Sequence, residues 1–327
     1  MHAPTPHTRK SLLGLLFLSA PLPALVVGVL VMQQSRVSSG VWVQQLAAGL
    51  TLAAICGALS FSPRLGRPLG FPTRPVLAVG ALLLLAVTLA QPGLEGVRRW
   101  VSLGPLHLHA AFLALPILIM VIGSFLSAGP SRAWAWAFPL ATTVVALVLM
   151  LQPDPSQASA FGVALVVLLF VRASRTRRLW LSAGIILLAA TVAWTRPDPL
   201  APVPHVEDIV GLAGDLGVGW VAGALVALLL LPIPFIAAAL SDPHRDRTGL
   251  AVAIYFAIVS IMPALGPYPV PILGFGLAPM LGYFAALGWV IVKSRAPNPP
   301  CAPPGLPPSS SPRALKKAKR ATRAGSH

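Results

Sequence analysis

The sequence predicts an all-α polytopic membrane protein: about ten transmembrane helices, both termini cytoplasmic, the eighth helix broken. Three observations predict it. Hydrophobic residues make up 56% of the 327 and charged residues 10%, with a mean hydropathy of +0.80, whereas soluble domains carry roughly 25% charged residues. The apolar residues fall in runs near the ~20 that span a bilayer core. The basic residues gather in alternate loops, as in helices threaded back and forth through a membrane.

The first helix is expected over about 12–33. Its basic start, HTRK, resembles a secretory leader, but the apolar run reaches Met32. That exceeds the ~7–15 residues of a leader's core, so the helix is read as retained. Further spans follow at 41–60, 75–92, 106–127 and 133–151, then two shorter ones at 158–172 and 179–194. The eighth apolar run, 209–238, is too long for one span, and its start, DIVGLAGDLGVGW, carries glycines at 211, 214, 217 and 219. It reads as a half-helix leading into the true span. Broken helices survive at membrane depth only where they line protein or a wet cavity. Spans at 249–265 and 277–293 complete the set. The chain thus divides into a cytoplasmic N-terminus (1–11), a membrane domain (12–293) and a Pro/Ser-rich, basic, disordered cytoplasmic tail (294–327).

With both ends inside, 20 of the 24 Lys and Arg residues are cytoplasmic; the outer loops hold only Arg36, Arg98, Arg99 and Arg196. This fixes the orientation and accounts for the net charge of +16 without nucleic acid, which is excluded as a partner. Six of the eight acids (Glu95, Asp154, Asp198, Glu207, Asp208, Asp215) lie at or near the outer face. The few outer charges of both signs therefore share one surface. Cys56 in a span and Cys301 in the tail make no disulfide framework. There is no internal repeat, Gly-rich phosphate loop, zinc spacing or nucleophile elbow. His107 and His109, two residues apart and expected within a helix, do not share a helix face.

Four outer segments carry the polar residues. EGVRRWVSLG (95–104) supplies Arg98, Arg99 and Trp100. They suit either an interfacial anchor or capture of a phosphate or carboxylate head group, which guanidinium grips bidentately. LQPDPSQ (151–157) supplies Gln152 and Asp154, either a helix-ending turn or part of a site. PVPHVEDIVGLAGDLG (202–217) supplies His205, Glu207, Asp208 and Asp215. The first two carboxylates read as helix caps, or as a general base whose partial burial raises its pKa toward proton abstraction from a sugar hydroxyl. Asp215 is a satisfied helix polar group or a support for that base. The fourth segment is LGPYPVPILGFGLAP (265–279).

In order and spacing these segments resemble the SEDS proteins (shape, elongation, division and sporulation), the FtsW/RodA group. GVRRWVSLGPLHL is similar to that family's GxRRWxxLG segment, LLQPDPSQASAF to QPDxGTA, and VPHVEDIVGLAGDLGVGW to HTDFIFAxxxEELGxxG. PYPVPILGFGLAP is similar to PxPFxSYGGSS, and VWVQQLAAGL to the start of the second helix. The resemblance covers residues 20–293 and implies a peptidoglycan glycosyltransferase of the cytoplasmic membrane acting in division or cell shape. It would polymerise lipid II at the outer face beside a class B penicillin-binding protein. It implies a carboxylate base before the eighth helix and basic residues for the pyrophosphate, with a divalent cation as the one cofactor to consider.

This chain departs from the pattern in places. The family's QPSE and following Lys become His109, Ala110, Ala111, Phe112 and Leu115. The SYGGSS loop loses its hydroxyls over Gly274–Pro279, and the EE pair becomes Gly214-Asp215. Depending on a gap of zero, one or two residues, Val206, Glu207 or Asp208 falls on the family's base. Two other readings follow: a non-catalytic scaffold that binds lipid II or division partners, and a lipid-linked sugar flippase. The flippase would prefer polar groups at mid-membrane, which the spans scarcely have.

Overall fold

The computed structural model describes residues 17–61, 73–104, 106–128, 134–171, 177–196, 198–241 and 247–295. The predicted N-terminal segment 1–11 and the tail from 296 lie outside them. Residues up to Arg295 form one compact unit. Its helices are α1 (Leu22–Gln34), α2 (Ser39–Phe61), α3 (Thr73–Ala90), α4 (Ala110–Ala128), α5 (Trp134–Leu151), α6 (Pro155–Val171) and α7 (Arg177–Trp194). They continue with α8 (Pro204–Glu207), α9 (Ile209–Leu216), α10 (Val218–Leu230), α11 (Ile233–Ser241), α12 (Thr248–Ile261) and α13 (Leu277–Arg295). Each predicted span contains an apolar helix. Among the described residues seven helical stretches are long and apolar enough to cross a membrane; those at 136–151, 155–171 and 248–264 are apolar but shorter.

The helices pack as one bundle. The α6 helix is flanked by α7 and α12, α4 by α3 and α13, and α1 by α2, α9 and α10. At the centre, Phe235 stacks on Phe256 at 5.4 Å between ring centroids, and Tyr283 meets both edge-on at 5.3 and 4.9 Å. These geometries suit aromatic quadrupoles. The Tyr283 hydroxyl donates to the Leu231 carbonyl at 2.9 Å. That carbonyl lies at the break between α10 and α11, where Pro232 and Pro234 interrupt the helical ladder. The long eighth span is therefore kinked as well as preceded by a half-helix.

The half-helix is α9, and one glycine of the predicted four makes the break. Gly217 has φ +125° and ψ 165°, a region essentially closed to residues with a Cβ. The other difference from expectation lies before α4. The fourth span starts at Ala110, not 106, and His107 and His109 stand on a strand rather than a helix. Residues Trp100–Leu103 (β1) and Leu106–His109 (β2) form an antiparallel hairpin that pairs Trp100 with His109. A tighter turn precedes it: Leu94 and Val97 exchange backbone hydrogen bonds across Glu95 (φ 48°) and Gly96 (φ 86°), the two positive φ values of a type I′ turn. The Leu-His-Leu-His alternation is the strand signal; set against the apolar run that follows, it was absorbed into the helix.

Candidate active site

Extended backbone sends neighbouring side chains to opposite faces, and this separates the two arginines. Val97 and Arg99 are buried, while Arg98 is exposed. Arg98 donates to the Leu89 carbonyl at the end of α3, 3.0 Å away. Arg99, 2% exposed, reaches inward. Its Nη1 meets Asp198 Oδ2 at 2.7 Å and its Nη2 donates to the Pro153 carbonyl. The guanidinium lies 5.9 Å from the centre of the Tyr268 ring, a cation–π distance. Arg99 thus joins the turn before β1, the loop after α5, the loop after α7 and the loop after α12.

Beside it lies a second buried pair. His109 Nε2 is 3.4 Å from Asp154 Oδ2, without the alignment of a hydrogen bond, since Oδ2 has no partner. Burial, with Arg99 reinforcing it and Asp154 opposing it, lowers the His109 pKa to about 4. The imidazole is therefore neutral at pH 7, and the contact is not an ion pair. Asp154 Oδ1 accepts from the Gln157 amide at 3.1 Å and caps α6, with Pro155 in the first turn. Gln152, fully buried, donates to Thr88 Oγ1 and Leu85 O of α3. Gln157 Oε1 accepts from Tyr255 of α12. Five buried polar atoms here lack a partner: Arg99 Nε, His109 Nδ1, Gln152 Oε1, Asp154 Oδ2 and Gln157 Nε2. Both donors and acceptors are among them.

The segment before the broken helix separates its two carboxylates. Asp208 is exposed and accepts from the Gly211 amide at 3.2 Å, capping α9. Glu207 is half-buried on α8 and accepts from the Val203 amide at 3.0 Å. Burial raises its pKa, the Val203 amide lowers it, Asp198 raises it and Arg99 lowers it. Glu207 therefore shares a field with Arg99 and Asp198. His205, half-buried, lies 6.0 Å from Phe275 ring to ring, and burial lowers its pKa. Trp100 is half-buried and meets His109 edge-on at 5.9 Å. Asp215 is exposed on the last turn of α9. The structure thus brings Arg99, Asp154 and Glu207 together with Asp198, His109 and Tyr268. Arg98, Asp208 and Asp215 face solvent.

The last loop is fastened over the α8 turn. Val270 N donates to Val206 O at 3.0 Å and Phe275 N to His205 O at 2.8 Å. The approach is so close that a Cβ on Gly274 would collide with the Val206 carbonyl, which requires glycine there. Ile272, fully buried, has φ 64°, an uncommon conformation for a β-branched residue. Gln45 of α2 holds it: Nε2 donates to Ile272 O and Gly274 O, each at 2.8 Å, and Oε1 accepts from Gly276 N at 3.2 Å. Gln45, Asp198, His109 and Tyr268 were not singled out as site residues from sequence. The similarity of VWVQQLAAGL to the second helix was the one signal for Gln45. Among the described residues no three His, Cys, Asp or Glu side chains converge as a metal site.

A family model for cell cycle proteins, covering FtsW, RodA and SpoVE, matches residues 9–200. No curated protein matches the chain in sequence. Among solved structures it is similar to the rod shape determining protein RodA of Thermus thermophilus, at 25% identity and a TM-score of 0.63, over 85% of this chain and 95% of that one. An aspartate-to-alanine variant of the same RodA gives 26% and 0.62, over 85% and 96%. A chain from a study of a peptidoglycan synthase complex that coordinates polymerization and crosslinking gives 24% and 0.62, over 85% and 96%, and speaks for the fold.

Proposed function

Because the chain belongs to the FtsW/RodA/SpoVE family of cell cycle proteins, we propose that it is a peptidoglycan glycosyltransferase of the cytoplasmic membrane, polymerising lipid II at the outer face. The observation that carries this reading is Glu207. It is a half-buried carboxylate with a raised pKa, on the short turn before a broken helix, in one field with Arg99 and Asp198. A carboxylate raised from its ordinary range is a better proton acceptor for a sugar hydroxyl. Glu207 takes that proton, the freed oxygen attacks the anomeric carbon of the donor, and undecaprenyl pyrophosphate leaves.

The arginines divide the remaining work. Arg99 has its Nη donors committed to Asp198 and Pro153, so it fixes the loops around Glu207 and tunes its charge. Arg98 is exposed and is the cation available to the leaving pyrophosphate, where positive charge stabilises the developing anion. Asp208 caps α9 and is not the base. No step is assigned to a metal ion. A class B penicillin-binding protein is the expected partner. That agrees with the similarity to a chain from a complex described as coordinating polymerization and crosslinking.

The test is polymerisation of labelled lipid II by the purified protein, alone and with its class B partner. Glycan chains that require Arg98 and Glu207 support the proposal. A folded, partner-bound protein that makes none would return the reading to a lipid II-binding scaffold.

A further inference from the structure

Far from the polar cluster, a cavity of about 520 Å³ opens between α2, α4, α13 and the start of α3. This is well within the size of ligand sites. Cys56, Leu113, Phe284 and Trp289 form its apolar wall, and Arg74 and Lys293 both border it. Arg74 lies in the first turn of α3 and Lys293 in the last turn of α13. By the charge distribution both belong to the cytoplasmic side. Arg98 bonds to Leu89 at the opposite end of α3, about 22 Å along the helix from Arg74 at 1.5 Å per residue. The cavity is therefore separate from the proposed chemistry.

We propose that this cavity binds an anionic glycerophospholipid of the cytoplasmic leaflet, one acyl chain against the apolar wall and the phosphate between Arg74 and Lys293. An apolar slot bordered by two cations matches a hydrocarbon chain bearing an anionic head. Basic pockets between transmembrane helices on the cytoplasmic side bind such head groups. A glycine lines the slot: a Cβ built on Gly288 would stand 3.4 Å from Leu59 Cδ1 and 3.8 Å from Cys56 Sγ. A larger side chain there would fill the space meant for the chain. The inference uses the orientation set by the charges and is independent of the polymerase reading.

The test is native mass spectrometry of the full-length protein titrated with phosphatidylglycerol, phosphatidylcholine or undecaprenyl phosphate. Phosphatidylglycerol should bind tightest. The pair Arg74→Gln/Lys293→Gln should weaken it roughly thirtyfold, at about 1 kcal/mol per cation, and bring it level with phosphatidylcholine. Gly288→Leu, with both cations kept, should weaken both diacyl lipids. Unfolding midpoints measured without lipid identify a variant that has failed to fold, and the single Lys293→Gln then serves in its place. Equal binding of the two diacyl lipids to wild type, or wild-type affinity in the charge variant, overturns the proposal. So does preferential binding of undecaprenyl phosphate, which would give the slot to the tail of a polyprenyl substrate.

Discussion

Replacing Asp198 with Asn removes the only carboxylate bonded to Arg99 among the described residues, and leaves a buried cation. The pair is 2.7 Å apart, with side chains 3% and 11% exposed. For charges about 4 Å apart the attraction is ~4 kcal/mol at an effective dielectric constant of about 20. Breaking a buried pair from one side costs about 3–5 kcal/mol, because the survivor stays desolvated. Arg99 keeps the Pro153 carbonyl and the Tyr268 face, so the expected loss is near the lower bound, about 3 kcal/mol. Equilibrium unfolding in mixed micelles, followed by tryptophan fluorescence, measures it. The double variant Arg99→Gln/Asp198→Asn should lose less than the sum of the singles, by about 2 kcal/mol. Strictly additive losses, or an Asp198→Asn change below about 0.5 kcal/mol, would refute the placing of Arg99 as an internal tie.

Other consequences follow from the same geometry. Glu207 must be ionised to act as a base and its pKa is raised, so activity should fall with decreasing pH on a limb above the ordinary glutamate value of about 4.3. Asp198→Asn removes a neighbouring negative charge that raises this pKa and leaves Arg99, which lowers it, unpaired; the limb should move to lower pH in rate–pH profiles. Gln45→Ala removes three hydrogen bonds and strands two carbonyls, a loss of about 3 kcal/mol; amide exchange at residues 272–276 should speed up, and unchanged exchange would contradict the clamp. Gly217→Ala meets no neighbour within 4 Å, so its penalty is conformational, about 1–3 kcal/mol, seen as a lower unfolding midpoint.

The membrane class, the helical segments and the half-helix were legible because each is written locally, in apolar runs, charge alternation and a cluster of glycines. The sequence could not show that Gly217 alone makes the break, since all four glycines weaken a helix alike. The hairpin at 100–109 was hidden because four-residue strands give little periodicity beside a long apolar run. Missing it also hid the difference between Arg98 and Arg99, which depends on extended backbone. The proposed preference for Glu207 over Asp208 rests on which carboxylate caps α9 and which is half-buried, and no local pattern shows either. Asp198 and Gln45 act across 99 and more than 200 residues of chain, and no local pattern announces such partners.

Single-turnover polymerisation of lipid II by Glu207→Gln and Asp208→Asn, beside wild type and with the class B partner present, tests the central claim most directly. Loss of a general base lowers the rate by about 10²–10⁴. That loss is predicted for Glu207→Gln, with Asp208→Asn retaining most of the rate and also the α9 cap, because an asparagine oxygen accepts the Gly211 amide as the carboxylate does. A polymerising Glu207→Gln protein, or a dead Asp208→Asn protein that is fully folded, would contradict the account.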